Sequence, residues 1–405
     1  MNTQQIQETF EKGKGIFRLF PVFVPRRFSQ SGQRLRLHPD DYYAYGTQRG
    51  SIKERWFSSV ISAMNGPLAK PDEGMSYVSA SDDGQERFLL RDAVDLLGAE
   101  MIGTELKQKY GTWPMYSKFF DYKQPLFHHL HLDDVAAGRV GRLGKPEAYY
   151  FPPQLNNYPG EFPVTYFGFD PDVSKAEVRR RLLDYETRDI RITELSRAYR
   201  IELGTGWYTP PGVVHAPGSV LTYEPQWNSD VNSVYENVTA GEVYPYEFLV
   251  ENVPEQSKRD VDYVLSLMDW EKNVDPHYRL KYFRPSVVAQ PGDGFIEKWV
   301  SYANPYVGAK ELTILPGQTA VVKDGAAYGC IIVQGHGTFG VYEAEAAIML
   351  RFGQPSADEY FVSEPAAKQG VKITNLSRWE PLVMLKHFGP NHPDMPKSVP
   401  VTDHA

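Results

Sequence analysis

Between about Gly15 and Ala80, short apolar runs alternate with basic residues, prolines and glycines, as in Phe17-Arg18-Leu19-Phe20-Pro21-Val22-Phe23-Val24-Pro25. That punctuation predicts irregular strands and loops. From Arg91 to Tyr110 the period lengthens. Ala93, Val94, Leu96, Leu97, Met101 and Leu106 recur near helical spacing and Gly111 follows as a stop, so one amphipathic helix, kinked at Gly98, is expected. A second helix starts at Ser174-Lys175-Ala176-Glu177, which has capping-box spacing, and places Val178, Leu182 and Tyr185 on one face. It interrupts a strand-like run from Pro125 to Glu236, so it should be an insertion, at about 170–190, packed against a sheet. A third helix fits Ser257 to Trp270, with Val261, Val264, Leu265 and Met268 on one face.

After Pro285 the pattern returns to short apolar pieces separated by turns: Glu311 to Leu315, Ala320 to Val322, and Cys330 to Val333, with Pro316-Gly317 and Lys323-Asp324-Gly325 between them. Strands at such regular spacing predict a sandwich or barrel. The chain therefore divides into residues 1–240, a helical linker over 241–290, and a second all-β unit over 291–392. A length of 405 residues accommodates that division.

Composition narrows the class. Aromatics reach 13%, with 26 Tyr and 21 Phe, a mixture that suits strands more than helices. The net charge of −8 gives no global attraction for nucleic acid or an anionic membrane, so neither is an expected partner. No stretch approaches the roughly 18–20 apolar residues of a membrane span, and Met1 to Gln5 has no signal-peptide pattern. The single cysteine, Cys330, lies in an apolar strand-like run and cannot form an internal disulfide, which points to a reducing compartment and the cytoplasm.

The densest set of candidate ligands is Phe127-His128-His129-Leu130-His131-Leu132-Asp133-Asp134. On a strand, His129 and His131 share one face and His128 takes the other. Glu147 precedes the strand-like Ala148-Tyr149-Tyr150-Phe151, and His215 follows the tight turn of Pro210 and Gly212. Three imidazoles and one carboxylate suit a single divalent metal, zinc first, with Mn, Fe, Co or Ni also accommodated.

The spacing Gly204-x5-Pro210-x-Gly212-x2-His215 reproduces the second cupin motif, with Ser219 where many cupins have Asn. The stretch from Trp113-Pro114-Met115-Tyr116-Ser117-Lys118-Phe119-Phe120-Asp121 to Leu130-His131-Leu132-Asp133-Asp134 resembles the type I mannose-6-phosphate isomerases, as do Lys145-Pro146-Glu147, Pro210-Pro211-Gly212-Val213-Val214-His215 and Glu224-Pro225-Gln226-Trp227-Asn228-Ser229-Asp230. The similarity covers about residues 110 to 270. It implies a mainly β fold of two cupin-type jelly-roll barrels with a helical segment, the metal in the first barrel and none in the second. It further implies an aldose–ketose isomerase acting on a sugar or sugar phosphate. Two positions depart from the family pattern. Its metal-binding Gln is His129 here, and the Arg that follows its Ser-Asp pair is missing after Ser229-Asp230.

Proton transfer between adjacent carbons needs a base and an electrophile. Glu224 is the expected base, and Lys145 is expected near the reacting oxygens. Arg139 and Arg142 are further basic residues able to meet a phosphate. The same ligand set also suits an Fe-dependent oxygenase, and a non-catalytic sugar-binding protein is a third class. Two motifs are set aside. His38 in Leu37-His38-Pro39-Asp40-Asp41 has no second ligand at a matching interval, and Gly335-His336-Gly337-Thr338-Phe339-Gly340 precedes a strand-like Val341-Tyr342-Glu343 rather than the helix a dinucleotide fingerprint requires. His336, His387 and His392 are expected to be structural.

Overall fold

The computed structural model describes residues 3–156, 163–390 and 392–400. Every pairing between its named strands is antiparallel. Two sheets frame the first half. A seven-stranded sheet runs in the order Phe283–Arg284, Gly206–Thr209, Glu147–Tyr150, Thr222–Trp227, Met115–Phe120, Ile52–Phe57 and Val22–Pro25. A five-stranded sheet runs Ser196–Arg200, Val164–Phe169, His215–Ala216, His129–Leu130 and Ser233–Val234. Phe120, Tyr149 and Trp207 from the first sheet pack with Phe167 and Val234 from the second in one buried cluster, so the apolar faces of both sheets are turned toward each other.

Six later strands and three early ones, Ile16–Phe20, Tyr77–Ser79 and Arg87–Leu89, form a nine-stranded sheet, and four later strands a second sheet, around a core containing Trp299, Leu312, Cys330, Phe339 and Ile373. Burial pushes the Cys330 thiol pKa up, in keeping with an unreactive core cysteine. The N-terminal strand Ile16–Phe20 joins the nine-stranded sheet, where Ile16 pairs with Val362 and Phe17 with Phe361. The Gly-rich run folds as the hairpin His336–Phe339 and Tyr342–Glu345.

The helices follow their signals unevenly. Lys175–Leu183 is helical, and the Ser174 hydroxyl accepts from the Glu177 amide at 3.2 Å. Glu177 turns its carboxylate to Arg180 and Arg181, so the capping box closes from one side only. Val178 and Leu182 are buried in one cluster with Leu130 and Phe169 of the five-stranded sheet and with Val214 beside it, as expected for a helix inserted onto it. The single helix expected over 91–110 is instead three: Leu90–Leu97, Ala99–Ile102 and Thr104–Tyr110. Gly98 and Gly103, at φ 53° and 85°, break it because positive φ cannot continue a right-handed helix. The third expected helix is likewise shorter, Val261–Ser266 followed by Trp270–Asn273, with Asp260 and Asp269 each capping a new start. No helix among the described residues is long and apolar enough to cross a membrane.

Candidate metal centre

His129 and His215 are directly opposed on neighbouring strands of the five-stranded sheet, which brings their ring centres to 4.2 Å. His131 lies two residues further on, on the same side, with its ring 4.9 Å from His129 and 5.0 Å from His215. One ligand atom from each of the three lies within 4.8 Å of the other two. Glu147 comes from the facing sheet and closes the group. Its Oε2 is 3.0 Å from His131 Nε2 and its Oε1 is 3.1 Å from His215 Nε2. The turn before His215 is held by Asn273, which accepts from the Val214 amide at 2.9 Å and donates to the Gly212 carbonyl at 2.7 Å. Gly212 itself sits at φ 82°, and a Cβ there would come within 2.9 Å of the Asp269 amide nitrogen. The Trp270–Asn273 helix and the glycine together set the third imidazole.

The protonation pattern decides what this group can hold. His129 Nδ1 is 3.0 Å from the Phe127 carbonyl, His131 Nδ1 is 2.8 Å from the Val231 carbonyl, and His215 Nδ1 is 2.8 Å from the Val213 carbonyl. A carbonyl only accepts, so each Nδ1 carries a hydrogen, and a neutral ring then presents a lone pair at Nε2. Burial, with His215 and His131 beside it, holds the His129 pKa well below its ordinary value, and burial moves His131 down to about 3. Burial opposes the Glu147 charge, but His131 and Lys145 outweigh it and keep the carboxyl well below its usual range. The Lys145 ammonium lies 2.9 Å from Glu147 Oε2 and 3.0 Å from His131 Nε2, while Glu147 Oε1 and His215 Nε2, 3.1 Å apart, make no hydrogen bond. Fully buried acceptors that converge without hydrogens between them are expensive unless a cation joins them. The donor set, three imidazole nitrogens and one carboxylate, fits a single zinc-like divalent ion.

His128 points to the other side of its strand and binds Glu236 at 2.8 Å. His38 accepts from the Asp40 amide in a short turn. His387 meets the Tyr223 hydroxyl at 2.8 Å.

By sequence the chain matches no family model and no curated protein. Its architecture matches solved structures. The mannose 6-phosphate isomerase from Bacillus subtilis superimposes with a TM-score of 0.61 at 18% identity, over 92% of this chain and 99% of that one. A variant phosphomannose isomerase from Salmonella typhimurium gives 0.60 at 11%, over 93% and 100%. A mannose 6-phosphate isomerase bound with zinc and yttrium gives 0.59 at 12%, over 93% and 100%. The chain has the mannose 6-phosphate isomerase fold.

Within that fold, the seven-stranded sheet supplies the groups around the four convergent side chains. Lys145 Nζ lies 3.0 Å from His131 Nε2, 2.9 Å from Glu147 Oε2 and 3.5 Å from Glu224 Oε1. Burial works against its charge, yet Glu147, Glu224 and Asp230 together raise its pKa. Glu224 pairs in register with Lys118 on the adjacent strand, and Lys118 Nζ is 3.2 Å from Glu224 Oε1. Burial first, and the Glu147 charge second, push the Glu224 carboxyl up to about 8, the direction a general base near neutral pH requires. These side chains line a cavity of about 40 Å³ that reaches His129 and His131.

Three charged residues of that lining, Arg26, Glu54 and Lys118, carry no functional expectation from the sequence. Arg26 enters from the Val22–Pro25 edge of the sheet. It binds Glu54 at 2.9 Å and Asp230 at 3.0 Å, so an arginine from a distant segment meets the Asp230 after which the family's own arginine is missing. Period-two alternation of Lys118 with Glu224 across adjacent strands was the one available signal. Nothing local marks Arg26. Arg139 instead donates to the Tyr263 hydroxyl at 3.3 Å on the surface.

Proposed function

We propose that this protein is a metal-dependent aldose–ketose isomerase acting on a sugar or sugar phosphate. In this reading His129, His131, Glu147 and His215 hold one divalent metal, zinc by preference, and Glu224 and Lys145 handle the substrate. The observation that carries it is the convergence of three Nε2 lone pairs and the Glu147 carboxylate, beside a carboxyl of raised proton affinity, within the fold of mannose 6-phosphate isomerases. One structural neighbour was solved with zinc bound, which agrees with that donor set.

When bound, a divalent metal supplies positive charge where an enediolate oxygen develops. The chain's own residues do the rest. Glu224 takes the proton from C2 of the aldose and returns it to C1. The hydroxyl proton passes from O2 to O1, which completes the ketose. Lys145, held by Glu147 and Glu224, offers its ammonium hydrogens to those two oxygens. Lys118 fixes the Glu224 carboxylate from the other side.

The architecture that goes with this function is a pair of cupin-type jelly rolls over 1–240 and 291–392, joined by 241–290, with the Ile16–Phe20 strand lent to the second. The pairing of that strand with Glu359–Val362 supports the exchange. The reading also places the protein in the cytoplasm, in keeping with a lone, buried cysteine.

The test is an anaerobic proton-exchange assay by NMR in deuterated water, on metal-reconstituted protein with free and phosphorylated sugars and a His215→Ala control. Metal-dependent deuterium incorporation next to the carbonyl, lost in the control, is the expected result. Turnover that requires oxygen would assign the site to an oxygenase instead, and ligand binding without exchange would make it a sugar-binding protein.

A further inference from the structure

His128 faces away from the metal centre, on the side of the five-stranded sheet that the proposed reaction does not use. There it lines a cavity of about 400 Å³, whereas the cavity beside the metal centre measures about 40 Å³. Small-molecule sites typically enclose roughly 300–1,000 Å³. Among the described residues Leu126 alone borders both cavities, so a molecule held in the larger one lies outside the metal site.

Two polar atoms of residues in that lining, His128 Nε2 and the Thr239 hydroxyl oxygen, are buried and make no hydrogen bond among the described residues. Glu236, in contrast, is already engaged. Its Oε2 accepts from the His128 amide at 2.9 Å and lies 2.8 Å from His128 Nδ1, and its Oε1 accepts from the Thr193 hydroxyl. The carboxylate therefore fixes the imidazole with Nδ1 as donor and leaves Nε2 as the atom that needs a partner. Buried polar atoms are normally paired, so both unpaired atoms call for a group from outside the chain. A hydroxyl suits both. It donates to a neutral imidazole or accepts from a protonated one, and it does either with threonine. Charged groups are matched less well. No Lys or Arg is among the described lining residues to receive an anion, and the Glu236 oxygens that would receive a cation are occupied. Pro125, Val238 and the Tyr166 ring supply apolar walls, against which the face of a sugar or cyclitol ring packs.

We infer that this pocket is a second ligand site, which takes an uncharged, polyhydroxylated small molecule through His128 and Thr239. It goes beyond the isomerase reading, which uses neither residue. Ligand-observed NMR titration of zinc-loaded full-length protein tests it. The probes are myo-inositol and mannitol, which carry hydroxyls but no carbonyl to isomerise, and inorganic phosphate as the charged counterpart. Saturable binding of a polyol is expected, weakened by about tenfold in Thr239→Val and in His128→Asn, and retained in His215→Ala. Asparagine keeps a donor for Glu236 where Nδ1 stood and removes Nε2. Valine keeps the outline of threonine without its hydroxyl, so Thr239→Val decides the matter if denaturant melts show His128→Asn to be unfolded. No saturable binding of either polyol overturns the inference, as does binding that is lost in His215→Ala but intact in Thr239→Val. Binding of phosphate alone, weakened in the same two variants, overturns the uncharged class.

Discussion

Two regions of the molecule bury carboxylates between sheets and compensate them in opposite ways. In the first, Glu147 meets His131 and His215 in a cluster of three imidazoles whose Nδ1 hydrogens are all turned outward to carbonyls. In the second, Glu297 and Asp324 are enclosed by two lysines. Lys310 reaches Glu297 at 3.0 Å and Asp324 at 2.7 Å, and Lys386 reaches Asp324 at 2.6 Å and also binds Glu297. All four of those side chains are buried. The second group brings its own cations, covalently attached. The first brings acceptors, with Lys145 at its edge, and calls for a cation from solution. Both satisfy the rule that buried charge must be paired, but only the first arrangement leaves coordination positions that chemistry can use.

The comparison can be broken at either end. The largest effect is expected from Glu224→Gln, which puts a carboxamide of the same shape in place of the carboxylate and so removes the base: proton exchange should fall about 10²- to 10⁴-fold while bound metal stays constant, as read by elemental analysis alongside the NMR assay. Lys386→Met strikes the second region. It leaves Glu297 and Asp324 short of one ammonium and should destabilise the chain by about 3–5 kcal/mol in denaturant melts, with metal content per folded molecule unchanged.

A pH series sharpens the contrast. Burial lowers the His387 pKa to about 3 from an ordinary 6.5. A depressed folded-state pKa means that its contribution to stability is fully present above pH 6.5 and is lost as pH falls from there toward 3. His387→Gln should therefore reduce the pH slope of stability in that window by about one proton, with or without metal. The smallest effect belongs to Ser174→Ala, which removes one helix cap, costs about 1 kcal/mol in the same melts, and should leave metal binding untouched.

What was legible in the sequence follows from how local each signal is. His129 and His131 lie two residues apart on one strand, His215 follows its own glycine turn, and Ser174 caps the helix it precedes, so each could be read within a few residues. Arg26 meets Asp230 across a separation of 204 residues, and Arg55 meets Asp358 across 303. Such partners are chosen by sheet topology, which no short window contains. For the same reason Ile16–Phe20 read as an irregular lead-in, while its actual partner is Glu359–Val362. The expected helix over 91–110 failed in another way: its apolar spacing persists through Gly98 and Gly103, while the backbone at both turns to positive φ. Periodicity reports which face is buried and is silent about a change of direction between turns that share that face.

The central claim is that the first region takes a cation from solution and the second does not. Elemental analysis of the full chain after reconstitution with zinc and removal of excess tests it most directly, with wild type, His215→Ala and Lys386→Met compared as folded protein. One zinc per chain in wild type and Lys386→Met, and none in His215→Ala, is the predicted result. Zinc absent from the wild type, or retained in full by His215→Ala, would contradict it.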